Sequence, residues 1–394
     1  MRVLQINTTY DIGSTGRIVA GLERVINAAG HEAYAAFGYG NIEDEHHYKI
    51  INQYDSYCHN IASRLTDSQG LHSVRKTEAF VKYIEGVSPD IIHLHNIHGN
   101  YLDYRTLFNY LREGDYKVVW TFHDCWPFTG HCAYFDIANC HKWVDGCRKC
   151  PQRGSYPPAL IDRCERNYAL KSSLFCGFGE RMVLVGVSEW LSDLLHQSFL
   201  KDYHIRTIHN GINMEKFRCK SSESAIRPYV LGVASPWDTR KGLKDFSELR
   251  KLLDGSIDIV LVGLNANQIK ALPDGIIGLA RTDSMEQLAE LYGGALALVN
   301  PTYEDNYPTV NLESIACGTP VITYNTGGSP ESLLGGTGAV VAKGNIEAVR
   351  AEIMDIASGR HAYPSDRLMR YATENFDENK CFQEYLSLYN SLKS

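Results

Sequence analysis

The chain has 394 residues, 44% hydrophobic and 22% charged, a globular composition long enough, at ~150 residues per domain, for two cores. Its 46 acidic residues outnumber 39 basic ones, and the formal net charge of -7 has the wrong sign for a protein that binds nucleic acid by neutralising phosphates. The start, MRVLQINTTY, lacks a secretory signal's apolar core and cleavage site, no apolar run nears the ~20 residues of a membrane span, and eleven cysteines, an odd and mostly scattered set, suit a reducing cytoplasm.

In chain order, Arg2 to Asn7 reads as an apolar strand, and Thr15 to Ala29 follows with Ile18, Leu22, Val25 and Ile26 at helical spacing. Strand-like runs recur at Ile91 to Leu94, Val118 to Phe122 and Val183 to Val187, each with room for a crossover helix. The pattern stops in the polar stretch His209 to Lys220 and resumes at Tyr229 to Val233, which puts a domain boundary near residue 212. Further strands are expected at Ile257 to Val262, Ala295 to Val299 and Val321 to Tyr324, with helices after Lys241, Ser284 and Pro308. A last helical stretch, roughly Glu374 to Leu392, is expected to pack back on the first domain. Alternating strands and helices imply an α/β protein of two Rossmann-like, doubly wound parallel sheets, residues 1–212 and 213–375, with the ligand at the carboxyl ends of the strands.

The most informative segment is Pro301 to Val321, PTYEDNYPTVNLESIACGTPV, where Asp305 and Glu313 stand eight apart. A helix starting near Asn306 to Pro308 turns its first amides, those of Thr309, Val310 and Asn311, outward, and such a helix end suits a diphosphate. Glu313, one turn inside, is then placed for ribose hydroxyls, while the same pattern also fits a capped surface helix with solvated acids. Gly13-Ser14-Thr15-Gly16 opens the first helix but is not the dinucleotide fingerprint G-x-G-x-x-G, and a tight turn that needs glycine explains it equally well.

On these residues the chain resembles glycosyltransferase family four, retaining GT-B transferases that include bacterial colanic acid and capsular polysaccharide enzymes, whose hallmark is a Glu-x7-Glu pair followed by small residues like Ala316-Cys317-Gly318. The resemblance implies two domains facing across a cleft, a UDP- or GDP-sugar donor, a glycan or lipid-linked saccharide acceptor and no catalytic metal. It implies a donor role for Asp305 or its neighbour Glu304, ribose contact for Glu313, and diphosphate contact for Lys241 in Asp238-Thr239-Arg240-Lys241-Gly242. The family's earlier arginine is replaced by Ser235-Pro236, so that role is absent or falls to Arg240. His123 is expected at the donor sugar, His95 near the cleft and His93 in the core. Gly13 and Gly16 are expected to face phosphates and acceptor, and Gly327-Gly328 to let backbone approach the donor.

The insertion 125–160 carries Cys132, Cys140, Cys147 and Cys150, a C-x7-C-x6-C-x2-C pattern with His131, His141 and Cys125 nearby. A structural zinc and four reduced thiols packed in a loop both fit, and neither provides an open catalytic position. A nucleotide-sugar 2-epimerase on the same fold and a non-catalytic sugar-nucleotide or glycan binder are the rival functions. Peripheral contact with the inner membrane face stays open, because a small amphipathic or basic patch does not register in whole-chain totals.

Overall fold

In the computed structural model, which describes residues 1–217 and 227–393, the chain forms two compact units, one of Met1–His209 with Phe382–Ser394 and one of Asn210–Cys381. Residues 218–220 of the expected boundary lie outside the described residues.

The first unit holds seven strands: β1 (Arg2–Thr9), β2 (Glu32–Tyr39), β3 (His47–Lys49), β4 (Ile91–Leu94), β5 (Lys117–Phe122), β6 (Met182–Gly186) and β7 (His204–Thr207). They lie parallel in the order β3-β2-β1-β4-β5-β6-β7. β4, β5 and β6 are almost wholly buried on both faces, which is why they read as continuous apolar runs. The helix Gly13–Ala28 covers the sheet with Ile18, Val19, Leu22, Val25 and Ile26. Ser188 caps the helix after β6 by accepting from the Leu191 amide at 3.1 Å, and Asp103 does the same for Thr106 at 2.8 Å.

The second unit repeats the plan with β8 (Tyr229–Val233), β9 (Asp258–Val262), β10 (Ile276–Leu279), β11 (Ala297–Asn300), β12 (Val321–Tyr324) and β13 (Gly338–Val341). Their order is β10-β9-β8-β11-β12-β13, again all parallel. The order reverses between β8 and β11 here and between β1 and β4 in the first unit, and loops diverge at such points to leave a crevice.

The expected single helix at the C-terminus is instead three: Ser365–Asn375, Glu378–Cys381 and Gln383–Lys393. The first break has a clear cause, since the Ile212 amide donates to the Phe376 carbonyl at 2.8 Å and the Glu378 amide to the Ile212 carbonyl at 3.0 Å. Backbone groups that would continue the helix are spent on this bridge. The last helix then lies over the first unit's sheet, with Tyr389 Oη 2.6 Å from His93 Nδ1 and Tyr385 Oη 3.0 Å from Thr121 Oγ1. Among the described residues, no helix is long and apolar enough to cross a membrane.

Two predictions follow from this burial. Tyr389→Phe strips a fully buried imidazole nitrogen of its partner and should cost about 1–3 kcal/mol in urea unfolding; an unchanged midpoint would show that the contact holds nothing. Burial also pushes the His59 pKa down to about 3 and the His123 pKa to about 4, and holds His93 and His95 well below normal. The unfolded chain therefore binds protons below pH ~6.5 that the folded chain refuses down to about pH 4, so stability falls as pH drops through that window. Tm should fall between pH 7 and 5, and less steeply in His59→Gln; a flat profile would contradict the neutral, buried assignment.

Candidate active site

Three loops meet at the β8/β11 reversal in the second unit. After β8, Asp238 caps a short turn by accepting from the Lys241 amide at 3.1 Å, and the chain turns at Gly242. That residue has φ +71°, and a Cβ would sit 2.2 Å from the Pro301 carbonyl oxygen, so both backbone angle and contact demand glycine. After β11, the Tyr303 amide donates to the Arg240 carbonyl at 2.8 Å, and Arg240 Nη1 donates to the Glu304 carbonyl at 3.0 Å. Lys241 Nζ donates to Asp305 Oδ2. After β12, Gly327 has φ +53° and is so close to the Asp305 carbonyl that a Cβ would overlap it at 1.8 Å, while the Gly328 amide donates to the same oxygen at 3.1 Å.

Lys241, Asp305 and Gly327 are thus drawn together, with Arg240 and the Glu304 backbone behind them. Burial lowers the Lys241 pKa and the Asp305 carboxylate opposes that shift, leaving an ammonium held by charge in a partly dehydrated place. Glu304 is buried and its carbonyl accepts from Arg240 and Thr302, whereas the Asp305 side chain is the one on the lysine.

The helix Thr309–Ala316 begins after Pro308 with no side-chain cap. Behind its first turn, Asn311 accepts from Asn300 at 2.9 Å and donates to Ser332 Oγ at 2.9 Å and Ser329 Oγ at 3.2 Å; Thr323 Oγ1 lies 2.7 Å from the same Ser329 oxygen. This buried network fixes the helix start, with Thr309 and Val310, against β11, β12 and the turn after Gly327-Gly328. Glu313 lies one turn further in, buried, with Oε2 accepting from Tyr292 at 2.9 Å. Sequence reasoning missed the Asn311 network, the Tyr292 contact and the clamp of Tyr303 and Tyr324 on Asp245 Oδ2 at 3.0 and 2.6 Å. Pairings of ordinary polar residues distant in the chain leave no local signal.

In the first unit, Gly13 and Gly16 follow β1 for different reasons. Gly13 needs its φ of +70° and has open space around it, whereas a Cβ at Gly16 would meet Thr9 Oγ1 at 2.9 Å. His123, after β5, places Nε2 3.0 Å from His95 Nδ1, and their rings stack at 5.3 Å. His93 is wholly buried between Tyr389 and Thr121. Next to them, Asp124 Oδ2 lies 2.7 Å from His98 Nε2; burial resists its ionisation, but His98 and the Trp126 amide hold the carboxyl below its usual pKa. Cys132, Cys140, Cys147 and Cys150 line one small cavity of the same unit.

The comparisons agree with this architecture. The profile for Glycosyltransferase Family 4 matches residues 15–216, and that for Glycosyl transferases group 1 matches 220–375. The chain is 23% identical, in an alignment of 415 positions that covers 100% of each chain, to the putative colanic acid biosynthesis glycosyl transferase WcaC of Escherichia coli K12. Among solved structures, sucrose-phosphate synthase from Thermosynechococcus elongatus superposes with a TM-score of 0.73 at 17% identity, over 99% of this chain and 98% of that one. HepE of Anabaena, in complex with UDP and glucose, superposes with a TM-score of 0.67 at 14% identity, over 99% of this chain and 100% of that one. The chain therefore belongs to glycosyltransferase family 4 and has the GT-B fold of two Rossmann-like domains.

Proposed function

We propose that the chain transfers a hexosyl-type group, with retention of configuration and without a catalytic metal, from a UDP- or GDP-sugar to a hydroxyl of a glycan or lipid-linked saccharide. The observation that carries this reading is the pairing of Lys241 with Asp305, in the loop that leads into the helix Thr309–Ala316, at the strand-order reversal. A helix start and an ammonium together favour a diphosphate. As the bond from the anomeric carbon to the leaving phosphate oxygen stretches, negative charge grows on the diphosphate, and these groups stabilise it most when it is greatest. The departing phosphate oxygen takes the acceptor's proton, so no protein nucleophile is needed.

In this reading Glu313 receives the ribose hydroxyls, Asp305 or Glu304 the donor sugar, and Gly327 and Gly328 let their backbone approach it. His123, Gly13 and Gly16 belong to the acceptor-side domain. The likeness to WcaC, named for colanic acid biosynthesis, supports a place in polysaccharide biosynthesis, and the setting we propose is the cytoplasm, at the inner face of the membrane. A peripheral stay there is favoured by Tyr54, Tyr57, Ile61 and Leu65, all exposed on the helix Gln53–Thr66 at spacings that put them on one face.

A thermal-shift panel of UDP, GDP, ADP and their sugars should single out one base, because the preferred ligand stabilises the fold by mass action. With that donor, Lys241→Ala should lower kcat roughly 10²–10³-fold and, by leaving the Asp305 carboxylate without its partner, lower Tm as well; near-normal turnover would remove Lys241 from the site. Glu313→Gln should weaken nucleotide binding about tenfold by calorimetry, the loss of one charge-assisted hydrogen bond. Unchanged affinity would exclude ribose contact. Product analysis separates transfer from epimerisation, which releases sugar without an acceptor.

A further inference from the structure

Residues 129–163 of the first unit contain no helix or strand, only turns and bends. A loop this long seldom holds its shape inside a compact domain without a cross-link or a metal. Its own apolar core is small: Trp143 between Phe128 and Phe135, with ring centroids 5.2 and 5.1 Å away. Yet the segment has a fixed task at its far end, where Tyr156 Oη lies 3.1 Å from His98 Nδ1, whose other nitrogen meets Asp124 beside His123.

We propose that a zinc ion held by the thiolates of Cys132, Cys140, Cys147 and Cys150 staples this segment. All four residues line one cavity of about 10 Å³, and none is in a disulfide. That volume is close to a single water-sized sphere, small enough for one ion. Cys132 and Cys150 already share a hydrogen bond between their sulfurs. Cys164 also lines the cavity, but its thiol donates to the Asp162 carboxylate, which disfavours a thiolate there.

Backbone amides already reach two of the sulfurs. The Gly130 amide donates to Cys147 Sγ at 3.1 Å, and the Gln152 amide donates to Cys150 Sγ; such bonds favour thiolate over thiol and orient metal ligands. Four thiolates and a divalent ion leave two negative charges, and the buried side chains of Lys171 and His131 lie close by. Lys171 is fixed by the carbonyls of Trp126 at 2.7 Å and Thr129 at 3.0 Å, near Cys147 and Cys132. His131, 3% exposed, lines the same cavity, with Nδ1 held by Asp67 Oδ1 at 2.5 Å and Nε2 without a hydrogen-bond partner. Binding releases the thiol protons to solvent and involves no redox change. Four protein ligands leave no open coordination position, so the ion is structural.

The test begins with the parent chain, grown with zinc and purified without chelator. Elemental analysis should find about one zinc per chain, and cobalt substitution should give the intense visible bands of a tetrahedral all-sulfur site. Cys132→Ser and Cys150→Ser should lose the metal, Cys58→Ser should keep it, and His131→Ala should keep one ion per chain. To keep the test independent of how the first two variants fold, the parent is also titrated with a mercurial, which should release zinc in step with modification of four thiols and lower Tm. Parent protein that holds no zinc after reduction and reconstitution, and whose Tm ignores chelator, would overturn the proposal. Loss of the ion in His131→Ala, or retention in Cys132→Ser, would overturn the all-sulfur ligand set.

Discussion

A buried ammonium must be held by opposite charge or it gives up its proton, and in the second unit this requirement joins two loops. Lys241 rises from the turn after β8 and Asp305 from the loop after β11, and their ion pair ties those loops where strand order reverses. Everything close by is arranged around it: Arg240 on the Glu304 carbonyl, Gly242 against Pro301, Gly327 against Asp305. Burying an ion pair contributes little net stability once desolvation is counted. Its worth lies in fixing the two loops against each other.

The fold supports that arrangement from behind with neutral hydrogen bonds. Asn311, Ser329, Ser332 and Thr323 form a closed polar cluster beneath the helix Thr309–Ala316, so the helix start cannot shift without breaking buried bonds. The first unit uses another device. Its histidines at the ends of β4 and β5 are kept neutral by burial and pinned by Tyr389, Thr121 and one another, and the C-terminal helix supplies one of those pins.

What could be read in the sequence follows from burial. β1, β4, β5, β6, β8, β9, β11 and β12 were legible as apolar runs because both faces of these strands are covered. β3, β7, β10 and β13 were not: they are the sheet edges, short and partly exposed, and β7 and β13 have no buried residue at all. β2 was missed although it is interior, because EAYAAFGY substitutes alanines for the branched residues that signal a strand. The loops around Lys241 and Asp305 stood out because lysine before glycine and two acids eight apart are local patterns. The Asn311 cluster, Tyr292 against Glu313 and the tyrosine clamp on Asp245 depend on tertiary contacts and carried no local mark.

The central claim is that the helix start and Lys241 hold the two phosphates of an activated sugar. A crystal structure of the chain with its preferred nucleotide tests this most directly. Pyrophosphate oxygens should lie within hydrogen-bond reach of Lys241 Nζ and the first amides of Thr309–Ala316; a pyrophosphate bound elsewhere, with these groups untouched, would contradict that role.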